Sequence, residues 1–266
     1  PLGLHRHRGQ NGGQPGRAVL RLHQLNFPLN CGPMKPVAIV QHDPHDGPSY
    51  FATWLAAQGI AFELFCMFDG THLPADLGQH SGLCILGGPM SANDPLAHYP
   101  PLFGLVHEAL HSRVPVIGHC LGGQLLSRAL GGTVQAAEHP EIGWSLLEPV
   151  HPDARAWFGE QPLQLFQWHG ESFSIPAQAI QLLRGSHCAN QAYCVDGLHL
   201  GMQFQCEVDE AKVRSWLELG AEEMRACGSP GVQTKEAILA RLDADLRTSQ
   251  RIADCIYTRW AQGLQR

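Results

Sequence analysis

The sequence has no uninterrupted apolar stretch near the roughly 20 residues that a helix needs to span a bilayer. It is also poor in charge, since Asp, Glu, Lys and Arg make up only 16% of the 266 residues and the formal net charge is −6. We therefore expect no membrane association and no general binding of nucleic acid. The hydrophobic share of 44% is instead typical of a folded globular protein.

The cysteines lack the spacing of a disulfide framework or of a metal site, and their number, nine, is odd. They are therefore predicted to be reduced thiols of a cytoplasmic protein, with one of them a candidate nucleophile. A Gly-x4-Gly-Lys phosphate loop is also missing, and no cofactor is predicted.

The first 33 residues differ in composition from the remainder. They contain four arginines, three histidines and no acidic residue. An Arg-rich, acid-poor start is typical of transit peptides, but those are also Ser-rich and this stretch has no serine. We therefore interpret residues 1–33 as a non-native or disordered leader, with Met34 as the natural start.

From Met34 onward the apolar pattern alternates between strands and helices. The strands predicted first, each a short apolar run, lie at 37–40, 62–66, 83–86 and 114–118. The helices predicted between and after them lie at 49–58, 101–112 and 121–130. Residues 133–204 are mostly strand-like, and the chain from 208 onward is helical.

Strands that alternate with helices of about ten residues indicate an α/β fold with a mainly parallel, open sheet flanked by helices. We expect one domain over 34–220 and a C-terminal helical extension over 221–266. The extension contains two charged helices, near 234–247 and 249–262, which are expected to form a solvated cap over the sheet or a partner surface.

One strand-to-helix turn has the pattern of a nucleophile elbow. A predicted strand runs into Cys120 and a helix leaves from it, with Gly118 and Gly122 on either side. Such a turn lifts the side chain clear of the sheet, and the helix N-terminus behind it favours a thiolate. Gly87-Gly88-Pro89 ends the preceding strand, so a backbone N–H of this turn and that of Leu121 are candidate donors to an oxyanion.

Four motifs carry a family resemblance. They are Gly-Gly-Pro-Met-Ser at 87–91, Gly-His-Cys-Leu-Gly-Gly-Gln at 118–124, Trp-His-Gly-Glu-Ser-Phe at 168–173 and Gly-Met-Gln-Phe-Gln-Cys-Glu at 201–207. Together they resemble the class I glutamine amidotransferases, in particular stand-alone members similar to the glutaminase domain of GMP synthetase, over about residues 36–217. The resemblance implies a flavodoxin-like α/β fold. It also implies a Cys–His–Glu triad that hydrolyses the side-chain amide of glutamine through a thioester and releases ammonia.

The resemblance also implies roles for residues around the nucleophile. The backbone amides of Gly88 and Leu121 would form the oxyanion hole. Gln124, with the backbone at Gly143 and Trp144, would hold the glutamine head group.

The match fails at the position of the catalytic base. Where the family pattern has Phe-His-x-Glu, this sequence reads Phe204-Gln205-Cys206-Glu207. Side chains alternate along a strand, so Gln205 and Glu207 are expected on one face, as a base and its orienter would be. An amide takes up no proton, however, and loss of a general base typically costs 10²–10⁴-fold in rate. His169, in the segment that resembles the family's substrate groove, is the one histidine positioned to substitute.

Two histidine-containing segments resemble metal sites. Residues 107–111 match the H-E-x-x-H pattern of zinc proteases, but they lie on the predicted wet face of their helix and lack a third ligand at a fixed spacing. His42-Asp43-Pro44-His45-Asp46 follows the first strand and is predicted to be a polar turn near the active-site rim. No metal site is predicted.

The sequence leaves three functions open. The first is an amidotransferase-type hydrolase of glutamine or of a γ-glutamyl compound, weakened by Gln205, with a small-molecule substrate and either a separate ammonia-accepting subunit or plain hydrolysis. The second is a binding or regulatory relative that kept the pocket and lost the base. The third is an unrelated cysteine α/β-hydrolase, whose elbow also fits Gly-x-Cys-x-Gly, although the order of the motifs favours the first.

Overall fold

A computed structural model describes residues 34–266, so the leader predicted at 1–33 lies outside the described residues. Within them nine strands form one sheet: β1 (Val37–Gln41), β2 (Phe62–Cys66), β3 (Gly82–Ile85), β4 (Val116–His119), β5 (Val134–Pro149), β6 (Leu163–Phe173), β7 (Ala179–Arg184), β8 (Ala192–Val195) and β9 (His199–Met202). The helices are α1 (Ser49–Ala57), α2 (Tyr99–Ser112), α3 (Leu121–Ala129), α4 (Ala154–Phe158), α5 (Glu210–Leu219), α6 (Ala221–Ala226) and α7 (Lys235–Ala261).

The sheet has a parallel half and an antiparallel half. Strands follow the order β2-β1-β3-β4-β9-β8-β7-β5-β6. The five strands from β2 to β9 pair in parallel, as in doubly wound folds, and the remaining pairings are antiparallel. The expected α/β class, an open sheet flanked by helices with a helix at the C-terminus, is confirmed.

The parallel half brings four loops to one edge of the sheet. Because β1, β3, β4 and β9 are neighbours and run in one direction, the segments that follow them leave from the same edge. These segments are residues 42–46, the 87–91 turn, Cys120, and residues 203–207. In open parallel sheets this edge is where ligands bind.

Helices cover both faces of the parallel half. Strands β1, β3 and β4 are buried along their whole length, as their unbroken apolar runs predict. On one face α1, α4 and α7 contribute to the core, and on the other α2 and α3 do. The two layers fix the directions of the strands and therefore the positions of the loops at their ends.

The C-terminal region departs from the prediction, since the two charged helices expected there are one helix of 27 residues. Its inner face belongs to the core, with Ile252, Ile256 and Trp260 at most 1% exposed. Asp245 and Ser249 are buried polar residues that interrupt the apolar stripe. Because of this interruption, the sequence pattern of the single helix resembles that of two helices. The helix is therefore not a solvated cap, and a domain boundary at 220 stays a prediction.

None of the helices between residues 34 and 266 combines the length and the apolarity that crossing a bilayer would require.

Replacing Ile256 by alanine tests the core position of α7. We expect a loss of about 2–5 kcal/mol in the free energy of unfolding, measured by urea denaturation, because the substitution leaves a cavity against α1 and β1. The exposed Asp243→Ala on the same helix should change that free energy by less than about 0.5 kcal/mol. Equal effects of the two variants would contradict the packing described here.

Candidate active site

Cys120 occupies a strained turn between β4 and α3. Its φ of 48° and ψ of −108° lie in the left-handed half of backbone space, which costs a residue with a side chain about 1–3 kcal/mol. A Cβ on Gly118 would lie 2.5 Å from the carbonyl oxygen of Gly122, and one on Gly122 would collide with the carbonyl of Ile85. Glycine is required at 118 because α3 folds back directly over β4, and at 122 because α3 packs directly on β3.

The Gly-Gly-Pro turn after β3 lies against this elbow. A Cβ on Gly87 would be 3.7 Å from the Cβ of Cys120, and one on Gly88 would be 3.1 Å from Cδ2 of Leu121. The N–H of Leu121 donates to the Cys120 sulfur and works to lower the pKa of the thiol. The turn and the helix N-terminus therefore adjoin the sulfur, as an oxyanion site requires, and the oxyanion role of Gly88 and Leu121 stays a prediction.

Gln205 lies at the cleft, next to the thiol. It follows the end of β9 rather than continuing the strand, so the expected alternation with Glu207 does not apply. Its Nε2 donates to the carbonyl of Trp168 and its Oε1 accepts the Trp168 N–H, both at 3.0 Å. The thiol of Cys120 shares the Trp168 carbonyl as an acceptor, at 3.7 Å. Gln205 is thus held in one orientation by the backbone of β6.

Glu207 belongs to a buried triplet of charges, defined as Asp46, Lys212 and Glu207. The ammonium of Lys212 lies 3.2 Å from Oε1 of Glu207 and forms an ion pair with Asp46. It also donates to the carbonyl of Gly47 at 2.8 Å. All three side chains are at most 7% exposed, so the charges are little screened by water. Glu207 is therefore ion-paired with Lys212. In the family pattern, this acidic residue would orient the histidine.

The surroundings of Cys120 favour the neutral thiol. Burial raises the pKa of Cys120, and the carboxylates of Asp46 and Glu207 raise it further. Hydrogen bonds from the Leu121 N–H and the Gln205 amide act in the opposite direction but are outweighed. The dipole of α3 therefore does not suffice to make a resting thiolate here.

His169 and His119, two histidines near the nucleophile, are both engaged elsewhere. Nε2 of His169 lies 3.2 Å from a carboxylate oxygen of buried Glu141, and its Nδ1 lies 3.1 Å from the carbonyl of Glu171. His119 contacts the Tyr257 hydroxyl at 3.3 Å. Burial, helped by the charge of Lys212, lowers the pKa of His119 to about 3. Neither ring is arranged to accept the thiol proton.

Gln203 and Gln124 form a chain of hydrogen bonds that begins at the sulfur of Cys120. Gln124, predicted as a substrate ligand, lines the cleft, and its Nε2 donates to Gln203 Oε1 at 3.3 Å and to the carbonyl of Glu171 at 3.1 Å. The Nε2 of Gln203 donates to the Cys120 sulfur at 3.6 Å. Gln203 was not predicted as a site residue, although its position inside the 201–207 motif was a signal for it.

Gly143 and Trp144, predicted to hold the substrate through their backbone, lie outside the residues that line the cleft. Their backbone is instead bonded to the segment before α7. The amide of Gln233 accepts the Trp144 N–H at 3.0 Å and donates to the Trp144 carbonyl at 2.8 Å. The Gln233 side chain also fills the space that a Gly143 side chain would need.

The cleft at this edge has a volume of about 670 Å³. Cys120, Gln205, Gly88 and Gln124 line its floor and near wall, and Asp43, His45 and Asp46 of the predicted rim turn line it as well. One further part of the wall is formed by β6, from Trp168 to Glu171, and another by α5, α6 and their junction, through Trp216, Leu219, Gly220 and Glu223.

A sequence profile of the family "Glutamine amidotransferase class-I" matches residues 66–209, more than half of the chain. The protein belongs to the class I glutamine amidotransferase family. The match includes the elbow, both glycines of the Gly-Gly-Pro turn and the Gln205–Glu207 segment.

Individual class I glutamine amidotransferases agree with this assignment. The solved structure of a glutamine amidotransferase from Methylobacillus flagellatus is 45% identical, covers 88% of this chain and 97% of that one, and superposes with a TM-score of 0.86. The glutamine amidotransferase-like protein YfeJ of Salmonella typhimurium is 25% identical over 71% of this chain and 82% of its own. The glutamine-hydrolysing GMP synthase of Thermomicrobium roseum is 30% identical over 62% of this chain, which is only 30% of that enzyme.

Membership of the class I amidotransferases excludes the unrelated α/β-hydrolase considered from the elbow alone. Within the matched residues, position 205 holds a glutamine, whose amide carries no titratable proton.

Two buried sets of three side chains bring donor atoms close enough to hold a metal ion. They are His119, Cys206 and Glu207, and Glu141, His169 and Cys188. In the second set the donors already bond protein groups, as Cys188 does with Ser172. In the first, Lys212 already supplies positive charge to Glu207. We assign no metal to either set.

Replacing Gly122 by alanine tests the packing of the elbow on β3. We expect a loss of about 1–3 kcal/mol in unfolding free energy, because the new methyl group meets the Ile85 backbone. Gly104→Ala, on the exposed face of α2 with open space around it, should instead stabilise the protein by up to about 1 kcal/mol. If both variants were stabilised in urea denaturation, the close approach would be wrong.

The pH dependence of alkylation tests the protonation state of Cys120. Because the pKa of this thiol is raised, the thiolate fraction should increase about tenfold per pH unit through pH 9 without a plateau. The measurement is the iodoacetamide labelling rate of the Cys120 peptide by mass spectrometry, with a short cysteine peptide as reference. A plateau below pH 8 would contradict the protonated resting state.

Proposed function

We propose that the protein hydrolyses the side-chain amide of glutamine, or the amide of a γ-glutamyl compound, through a thioester on Cys120. The observation that carries this proposal is the position of Cys120, on a left-handed strand-to-helix turn at the floor of a cleft and beside a glycine turn. This is the arrangement that acyl transfer by a nucleophilic side chain requires.

In this proposal the sulfur attacks the amide carbon, and the amide oxygen becomes an oxyanion held by the N–H groups of Gly88 and Leu121. Collapse of the tetrahedral intermediate expels ammonia or an amine, and water then hydrolyses the thioester to a free carboxylate. Gln124 lines the cleft next to the nucleophile and supports the proposed binding of the glutamyl head group. Roles for Gly143 and Trp144 would need Gln233 to release their backbone.

We further propose that activity is weak because Gln205 stands in the position of the base. Oε2 of Glu207 has no hydrogen-bond partner among residues 34–266 and is buried. A buried carboxylate oxygen left without a partner is costly, and the family's histidine would be expected to satisfy it. This supports the view that the triad's geometry persists around a residue that carries no proton.

The size of the cleft bears on the substrate. A volume of about 670 Å³ lies within the range that holds drug-sized ligands. It leaves room beyond the glutamyl group for a substituent on the amide nitrogen. A γ-glutamyl amide is therefore as good a candidate substrate as free glutamine.

For the released ammonia we propose a separate acceptor subunit or plain hydrolysis. The match to the glutamine-hydrolysing GMP synthase of Thermomicrobium roseum covers 30% of that enzyme, so most of it lies outside the alignment. A cleft that opens at the sheet edge suits a small-molecule substrate arriving from solution.

A binding or regulatory role remains the second candidate. The observation that favours it is the pair of hydrogen bonds that hold the Gln205 amide on the Trp168 backbone, an arrangement stable without any substrate chemistry. In that case the cleft would bind a glutamyl ligand without hydrolysing it.

Gln205→His tests the two candidates. We expect turnover of glutamine or of a γ-glutamyl amide to rise by at least about 10²-fold, the low end of what a positioned general base contributes. The measurement is steady-state release of ammonia or amine, and the double variant Cys120→Ala/Gln205→His serves as the control that must be inactive.

Two results would count against the hydrolase. Turnover that does not rise in Gln205→His would indicate a cleft remodelled for binding. Turnover that persists in the Cys120→Ala background would show that another group acts as the nucleophile.

A further inference from the structure

Asp46 is a carboxylate beside the nucleophile that the Cys–His–Glu pattern does not use. It follows β1 in the rim turn, lines the cleft and is 5% exposed. Its oxygen Oδ2 and the Cβ of Cys120 both adjoin the point where a side chain on Gly87 would begin. Because residue 87 is glycine, no side chain of that residue fills the space between these two atoms.

Asp46 is also electrostatically coupled to the thiol. Among the charged groups that raise the pKa of Cys120, Asp46 acts more strongly than Glu207. Burial raises the pKa of Asp46, the ammonium of Lys212 opposes this and Glu207 adds to the increase. A carboxyl group whose pKa is raised is a stronger base than an ordinary carboxylate, which favours its taking up a proton.

Lys212 holds Asp46 in place. Burial works to lower the pKa of Lys212, but the charges of Asp46 and Glu207 outweigh it, so the pKa is raised and the ammonium persists. The ring of Trp216, another residue of the cleft wall, lies 4.8 Å from the ammonium. Lys212 therefore bridges two carboxylates, that of Asp46 next to Cys120 and that of Glu207, which the triad would use.

The other acidic residues of the cleft are less well arranged. Glu171 accepts the single proton of the Ser91 hydroxyl, whose oxygen lies 2.9 Å from each of its carboxylate oxygens. Glu223 is exposed and accepts the indole N–H of Trp168 at 3.1 Å. Asp43 accepts the backbone N–H of His45 within its own turn.

We propose that Asp46 is the catalytic acid and base of this protein, exchanging protons with Cys120 and with the leaving nitrogen in place of the missing histidine. Lys212 and Glu207 act as positioning residues behind it. The inference rests on the hydrolase activity proposed above.

The proton balance closes on one carboxylate. Asp46 takes the thiol proton as sulfur bonds to the amide carbon, then gives it to the nitrogen as the C–N bond breaks, which leaves a thioester and ammonia or an amine. A water molecule next transfers a proton to Asp46 while the oxygen of that water adds to the thioester carbon. When the C–S bond breaks, Asp46 returns that proton to sulfur, which restores the thiol and releases the free acid.

Asp46→Asn tests this assignment, and the variant is expected to fold because Lys212 keeps Glu207 as its partner. Turnover should fall by about 10²-fold. Labelling of Cys120 by iodoacetamide at pH 7 should become faster, because removal of the adjacent negative charge lowers the pKa of the thiol. Loss of structure would not raise labelling at Cys120 alone, and a thermal melt monitors folding directly.

Two further variants separate catalysis from structure. In the Gln205→His background the Asp46→Asn substitution should lower turnover by no more than a few-fold, because the histidine at 205 then carries out the proton transfers. Asp245→Asn alters another buried, ion-paired aspartate that lies on α7 outside the cleft. It should change neither turnover nor the labelling of Cys120.

The results of these variants separate the proposed role of Asp46 from the proposed hydrolase activity. Equal losses from Asp46→Asn in both backgrounds would make Asp46 structural and overturn the inference. Unchanged turnover in the single variant, or a wild type that is inactive while Gln205→His is active, would overturn it too and leave the hydrolase standing. Absence of turnover in both wild type and Gln205→His would instead reject the proposed function itself.

Discussion

The turn at Cys120 is the constraint on which the rest of the site depends. Cys120 holds a left-handed conformation there, while Gly118 lets α3 pack directly on β4 and Gly122 lets α3 pack directly on β3. The same packing brings the glycine turn after β3 and the segment after β9 to the sulfur. If the elbow relaxed, the nucleophile, the predicted oxyanion donors and Gln205 would no longer share one edge of the sheet.

Around that turn, buried charges dominate the surroundings of the nucleophile. Lys212 pairs with Glu207 and joins it to Asp46. The consequence is a sulfur that keeps its proton, faced by two carboxylates and an amide. In the mechanism proposed above, proton transfer passes through Asp46, the carboxylate beside Cys120.

The sequence predicted the parts of the site that local patterns determine. The elbow follows from glycines flanking a cysteine at the end of an apolar run, and the alternation of the first four strands with helices follows from their short apolar runs. It did not predict contacts made across long separations in the chain. Lys212 reaches Asp46 from a helix distant in sequence, and Gln233 covers the backbone of Trp144 in the same way. Helix α7 was divided in two because Asp245, neutralised by Arg241, occupies a buried position that a pattern of apolar residues does not register.

The central claim is that the cleft presents Cys120 to a glutamyl side chain, and affinity labelling tests it most directly. The measurement is the rate at which a chloromethyl ketone analogue of glutamine alkylates the wild-type protein, followed by mass spectrometry as a function of reagent concentration. The account predicts a rate that saturates, modification at Cys120 alone, and protection by glutamine or a γ-glutamyl amide. A rate that rises linearly with concentration, without protection and with label on other cysteines, would contradict it.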